Sequence, residues 1–228
     1  MVRVEPVQIA RYIDHTLLRP DATADEVRRH CDDTARFGFA AACVASGWAA
    51  LARERLDRAG AGAIPVCCVV GFPFGSASSA AKAAEARQAV EDGAGEIDAV
   101  INVGYLRSGL TGLVARDLAD VVGASGDAVV KVILETCYLT DDEKVIAGRL
   151  AREAGAGYVK TSTGFGPGGA RLEDVALLKR EVPGIRIKAS GGIRTFAQAQ
   201  AFLAAGASRI GTSAGPAIVA GARDEGKH

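Results

Sequence analysis

The sequence predicts an α/β chain folded as a single (β/α)8 barrel, and three observations predict it. Eight short apolar runs recur at roughly 28-residue intervals through a chain of 228 residues. The stretches between them carry helix-start signals and stop at glycines. No linker, low-complexity segment or shift in composition divides the chain, and 49% apolar residues suffice for one large core. Short strands alternating with helices pair in parallel through right-handed crossovers, and eight such units close on themselves.

In chain order, strands are expected at 13–17, 41–45, 65–71, 96–102, 129–135, 158–161, 186–189 and 209–212. Thr23-x-x-Glu26, Thr140-x-x-Glu143 and Thr195-x-x-Gln198 are capping boxes. In each, the hydroxyl accepts from an orphan N–H while the acid or amide reaches back to the cap. Gly38, Gly60, Gly93, Gly155 and Gly206 fall where helices should stop, since glycine takes the left-handed conformation without strain. Ser213 is expected to open a short last helix near 214–222. The polar end, about 221–228, reads as a loosely held tail of the one domain spanning 1–228. The competing architecture is an open doubly wound sheet, because Gly164-Phe165-Gly166-Pro167-Gly168-Gly169 matches GxGxxG. That match comes late, contains a proline, and the next strand does not end in a ribose-binding acid, so it reads as a loop.

Lys+Arg and Asp+Glu both number 27, so no charge surplus points to nucleic acid. No apolar stretch is long enough to span a bilayer and the first residues lack an apolar signal core, so a cytoplasmic protein with no membrane partner is expected. The five cysteines are unevenly spaced with no CxxC pair, which argues against a disulfide framework or a cysteine zinc site. Only three histidines exist, His15, His30 and His228, too few for a histidine metal centre. No metal or cofactor is expected, and His15 reads as a packed, hydrogen-bonded residue.

Side chains alternate along a strand, which sorts each run into two faces. Ile97, Ala99 and Ile101 face the helices, so Asp98 faces the barrel interior; Lys131 and Glu135 likewise oppose Val130, Val132 and Leu134. The same rule turns Asp14, Cys43, Lys160 and Lys188 inward. An ammonium is excluded from an interior unless it is paired or functional. Lys131 with Glu135 fits either a structural pair or the site, Asp14 either structure or substrate contact, and Cys43 either packing or a functional thiol. Lys160 and Lys188 make poor core, because both precede hydroxyl- and glycine-rich loops on successive strands. Two ammonium groups held close disfavour each other's protonation, and a neutral lysine is a nucleophile for carbonyl compounds.

Glycine-rich loops follow the last three strands: Thr163-Gly164-Phe165-Gly166, Ser190-Gly191-Gly192 and Gly211-Thr212-Ser213. Loops after the seventh and eighth strands of such barrels, with a short helix N-terminus, cradle phosphate. The alternative is that tight strand-to-helix turns need glycine in any case.

With these residues in view, the chain resembles deoxyribose-phosphate aldolases, which are class I, Schiff-base aldolases. The matching stretches are Ile13-Asp14-His15-Thr16-Leu17-Leu18-Arg19-Pro20, Val69-Val70-Gly71-Phe72-Pro73, Glu96-Ile97-Asp98-Ala99-Val100-Ile101-Asn102, Lys131-Val132-Ile133-Leu134-Glu135-Thr136, Lys160-Thr161-Ser162-Thr163-Gly164-Phe165 and Lys188-Ala189-Ser190-Gly191-Gly192-Ile193-Arg194, in family order. The resemblance implies reversible cleavage of 2-deoxy-D-ribose 5-phosphate to acetaldehyde and D-glyceraldehyde 3-phosphate, a step in deoxyribonucleotide catabolism. It implies that Lys160 forms the Schiff base, that Lys188 is the neighbouring cation, and that Asp98 shuttles protons with help from Lys131 and Asp14. Asp14, Cys43, Lys131, Thr163, Gly164, Gly191, Gly192, Gly211 and Ser213 are the residues expected to bind substrate, and a homodimer or homotetramer is expected. One departure stands out: some family members carry a C-terminal tyrosine that assists proton transfer at the methyl carbon, and this chain ends without one. The rival readings are another Schiff-base aldolase of the same fold, or a phosphosugar isomerase or anion-binding barrel, neither of which needs a nucleophilic amine.

Overall fold

A computed structural model of the chain describes residues 6–225. Eight parallel strands close into a barrel in sequential order: β1 (Ile13–Leu17), β2 (Ala41–Ala45), β3 (Val66–Val70), β4 (Ala94–Val100), β5 (Val129–Ile133), β6 (Tyr158–Lys160), β7 (Arg186–Ser190) and β8 (Arg209–Thr212). Around it lie the helices α1 (Ala24–Phe37), α2 (Ala49–Arg58), α3 (Ser79–Glu91), α4 (Val103–Arg107), α5 (Thr111–Ala124), α6 (Asp141–Glu153), α7 (Leu172–Glu181), α8 (Phe196–Ala204) and α9 (Gly215–Glu225). This is the TIM-barrel arrangement that the alternation predicts, closed by β1 pairing with β8.

The three capping boxes open α1, α6 and α8, with both reciprocal hydrogen bonds made in each. The outward strand residues Val44, Ile97, Val132, Ile187 and Ile210 are buried against the helices in one continuous core. Burying each such side chain contributes about 1.5–3 kcal/mol. The helical shell also buries two lysines that the pattern did not single out. Lys82 on α3 donates to Asp117 on α5 at 2.6 Å and to the Val100 carbonyl at 2.9 Å. Lys144 on α6 donates to Asp174 on α7 at 2.7 Å and to Asp141 at 2.9 Å.

Several boundaries differ from expectation. β4 begins earlier because Gly95 is an extra residue, a register shift between Val66↔Ala94 and Cys67↔Glu96. β5 and β6 end earlier because the chain turns away at the mouth, although Leu134 and Thr161 still donate to the Lys160 and Lys188 carbonyls. The last helix starts at Gly215 and runs through Glu225, so residues 221–225 of the expected loose tail are helical; 226–228 lie outside the described residues. No helix among the described residues is long and apolar enough to cross a membrane. His15 is packed as expected, its ring stacked 4.2 Å from that of His30, but its Nδ1 has no hydrogen-bond partner among the described residues.

Candidate active site

Alternation turns a polar set into the barrel, and register sets its levels. Asp98 is the direct partner of Lys131, and Lys160 of Lys188. One Asp98 oxygen accepts from Lys160 at 2.8 Å and from Lys188 at 2.7 Å; the other accepts from Lys131 at 2.8 Å and from the Cys67 thiol at 3.2 Å. A single oxygen therefore holds the two ammonium groups of β6 and β7 side by side. Below them Asp14 accepts from Lys188 and, at 2.6 Å, from Arg209. Glu96 pairs with Lys131 at 2.7 Å and with Arg209 at 3.3 Å. Tyr158 floors the barrel, with the Arg186 guanidinium 4.0 Å from its ring centre.

Among the described residues, four cations (Lys131, Lys160, Lys188, Arg209) thus share three carboxylates (Asp14, Glu96, Asp98) in a largely buried cluster. With every group ionised, one positive charge is in surplus. The partners are unevenly distributed. Lys131 lies within 4 Å of Asp14, Glu96 and Asp98, and Lys188 bonds two carboxylates. Among the described residues Lys160 has Asp98 alone.

The titration directions follow from this geometry. Burial alone would raise Asp98, but Lys131, Lys160 and Lys188 more than offset it and hold the carboxyl well below the usual range. Burial likewise opposes the charge on Lys188, yet Asp14 and Asp98 keep it above the ordinary lysine range. The neighbouring Cys67 thiol, together with Lys188, pulls the Cys43 thiol below its ordinary range against burial. Of the three lysines in this cluster, Lys160 is the one that borders open space.

That space is a cavity of about 320 Å³ at the C-terminal mouth, with Lys160 in its floor. Thr163, Gly164, Gly191, Gly192, Gly211 and Ser213 line it. Gly191 and Gly192 have φ of +97° and +82°, which side chains rarely adopt. A Cβ on Gly211 would sit 3.0 Å from Lys188 Cε, so glycine there leaves room for the lysine. Thr212 turns its hydroxyl to the Ala214 N–H at the head of α9.

Asp14, Cys43 and Lys131 are fully buried and line no part of this cavity, because each points from mid-strand toward the floor. Cys43 faces its register partner Cys67 and packs with Val69 beneath Leu18 and Phe72. Lys131 does not pair with Glu135. Glu135 has a left-handed backbone and its carboxylate accepts from Thr163 instead. Asp98 and Lys188 also lie below the cavity, one hydrogen bond from Lys160 or from its partner.

Glu96, Cys67 and Arg209 were missed although alternation marks them, each opposing an outward Ile97, Cys68 or Ile210. Arg19, Phe165 and Arg194 also line the cavity; they sit on loops, where no period signals direction. Cys43, Cys67 and Asp98, and also Asp14, Cys67 and Glu96, bring ligand atoms within 4.8 Å of one another. Their carboxylates already bond ammonium or guanidinium groups, so a metal would have to displace those partners.

A family model described as "DeoC/LacD family aldolase" matches residues 8–221. The chain is 59% identical over 225 residues to a deoxyribose-phosphate aldolase of Methanocella arvoryzae, covering 99% of this chain and all of that protein. It is 49% identical to one from Streptococcus suis, covering 97% of this chain and 100% of the relative. Among solved structures it is similar to the tetrameric deoxyribose phosphate aldolase of Aeropyrum pernix, with a TM-score of 0.87 at 33% identity, covering 95% and 91% of the two chains.

Proposed function

We propose, from the premise that the chain belongs to the DeoC/LacD aldolase family, that it cleaves 2-deoxy-D-ribose 5-phosphate reversibly into D-glyceraldehyde 3-phosphate and acetaldehyde through a Schiff base on Lys160. The observation that carries the mechanism is the charge count of the lumen. Four cations answer three carboxylates, and the cation with a single partner is the one that opens on the cavity. A proton shed there restores neutrality and exposes an amine lone pair to the substrate.

The neutral Lys160 amine attacks the aldehyde carbon of the open-chain sugar. The carbinolamine loses water to give an iminium. As the C3 hydroxyl loses its proton, the C2–C3 bonding pair flows into the iminium, releasing glyceraldehyde 3-phosphate and leaving an enamine. Protonation at C2 and addition of one water return acetaldehyde and the free amine. Asp98 is too strongly held by its ammonium partners to act as a base alone. We assign it the role of passing the proton through Lys188 or a water, since one of its oxygens bonds both lysines. The phosphate is assigned to Gly164, Gly191, Gly192, Gly211 and Ser213, with Arg19 and Arg194 at the rim. No aspartate or glutamate lines the cavity among the described residues, which disfavours an isomerase working by a carboxylate base. Five free cysteines fit a reducing, cytoplasmic setting. We read the enzyme as a homodimer or homotetramer, to be measured by sedimentation.

Acetaldehyde followed by borohydride should add one ethyl group per chain, on the peptide containing Lys160, and none to K160M. No covalent gain in mass, or a label on another lysine, would overturn the mechanism.

A further inference from the structure

We infer that Glu135, which no step above uses, is a positioning residue that sets the width of the phosphate cradle and with it the preference for phosphorylated substrates. The inference rests on assigning phosphate to the glycine loops.

Glu135 is the one non-glycine residue among the described residues with a positive φ, 53°. Such a backbone costs on the order of 1 kcal/mol and persists where the surroundings hold it. Its carboxylate is buried, 4% exposed, and makes no ion pair among the described residues. Both oxygens instead turn to the loop after β6. The Thr163 N–H donates to one at 3.2 Å, and the Thr163 hydroxyl donates to the other. The Phe165 N–H in turn donates to that hydroxyl at 3.0 Å. A Cβ on Gly166 would lie 3.2 Å from the Glu135 carboxyl carbon, so the loop wraps closely around this side chain. The far side of the same loop meets the β7 loop backbone to backbone: Ala170 donates to the Gly191 carbonyl at 3.0 Å, and a Cβ on Gly164 would lie 3.8 Å from Gly191 Cα. The segment carrying Gly164 is therefore clamped between Glu135 and Gly191, and the gap it leaves is the wall of the cavity. An ordinary backbone at position 135 would aim the carboxylate elsewhere and release the outer side of the clamp.

The test compares E135G and E135Q with the wild type. Glycine takes the left-handed backbone freely and removes the carboxylate, so E135G should fold with unchanged or raised melting temperature. Its kcat/KM ratio for 2-deoxyribose 5-phosphate over unphosphorylated 2-deoxyribose should fall at least tenfold, through KM for the phosphorylated sugar. Ethyl labelling of Lys160 should remain complete. E135Q, which keeps an acceptor for Thr163, should recover most of the ratio. A wild type without preference for the phosphorylated sugar would sink the cradle assignment itself. A wild type with that preference, unchanged in E135G, would overturn the role of Glu135 and leave the cradle standing. If E135G does not fold, E135A decides: a wild-type preference for the phosphorylated sugar would contradict the clamp, and a raised KM for that sugar with weakened inhibition by inorganic phosphate would uphold it.

Discussion

The helical shell and the barrel lumen both bury lysines, and they neutralise them differently. In the shell each buried lysine pairs with a buried carboxylate on a neighbouring helix, Lys82 with Asp117 and Lys144 with Asp174, and Lys144 also reaches the exposed Asp141. Each buried pair is balanced and joins two helices, α3 to α5 and α6 to α7. In the lumen four cations are served by three shared carboxylates, and Asp98 alone answers three ammonium groups. A balanced pair resists any change of protonation, because losing one proton strands a buried charge. An unbalanced cluster gains by losing one. The contrast teaches that burial of a lysine is not itself a sign of chemistry; the count of partners around it is.

The largest break in this comparison should come from Asp98→Asn. It leaves three ammonium groups without their common anion, so kcat/KM should fall about 100-fold or more and urea unfolding should lose about 3–5 kcal/mol. Wild-type turnover in D98N would show that the shared oxygen is dispensable.

Lys82→Met tests the shell by the same logic. Stranding Asp117 should cost about 3–5 kcal/mol in urea, while turnover per folded molecule stays at the wild-type value. Replacing the partner as well, in K82M/D117L, should recover most of the stability. A drop in turnover in K82M would mean that the shell pair also supports the chemistry.

The smallest effect sharpens the pH behaviour. His15 and His30 are held neutral, burial pushing them down to about 4 and about 3. Their folded values lie below the unfolded one near 6.5, so their stability is fully present above that value and is lost as pH falls toward the folded ones. Between pH 7 and 5 the unfolded chain takes up protons that the fold refuses, at about 2 kcal/mol per histidine. Asp14 and Asp98 do not contribute in this window, since both are held below the ordinary aspartate value, and that value itself lies below pH 5. His30→Leu should roughly halve the drop in the urea midpoint between those two pH values; an undiminished drop would place its origin elsewhere.

Much of the fold was legible because its signals are local. Threonine with glutamate or glutamine three residues on marks α1, α6 and α8, and period-two alternation turns Lys160, Lys188 and Asp98 inward. The glycine loops are legible for the same reason, and the structure gathers them around one cavity with Lys160. The loop side chains Arg19, Phe165 and Arg194 carry no period and could not be placed.

By itself the sequence determined which way Lys160, Lys188 and Asp98 face and where α1, α6 and α8 begin, because both depend on neighbours a few positions away. Tertiary structure alone decided which charge answers which. Closure of β8 onto β1 lets Arg209 reach Asp14 across 195 residues, a neighbour no local pattern encodes. It also decided against a structural pair of Lys131 with Glu135, which the sequence left open: the left-handed turn at residue 135 carries that carboxylate to the β6 loop, and Lys131 takes Asp98 and Glu96 from the adjoining strand. Electrostatic partnership falls off steeply with distance, and only the closed barrel sets those distances.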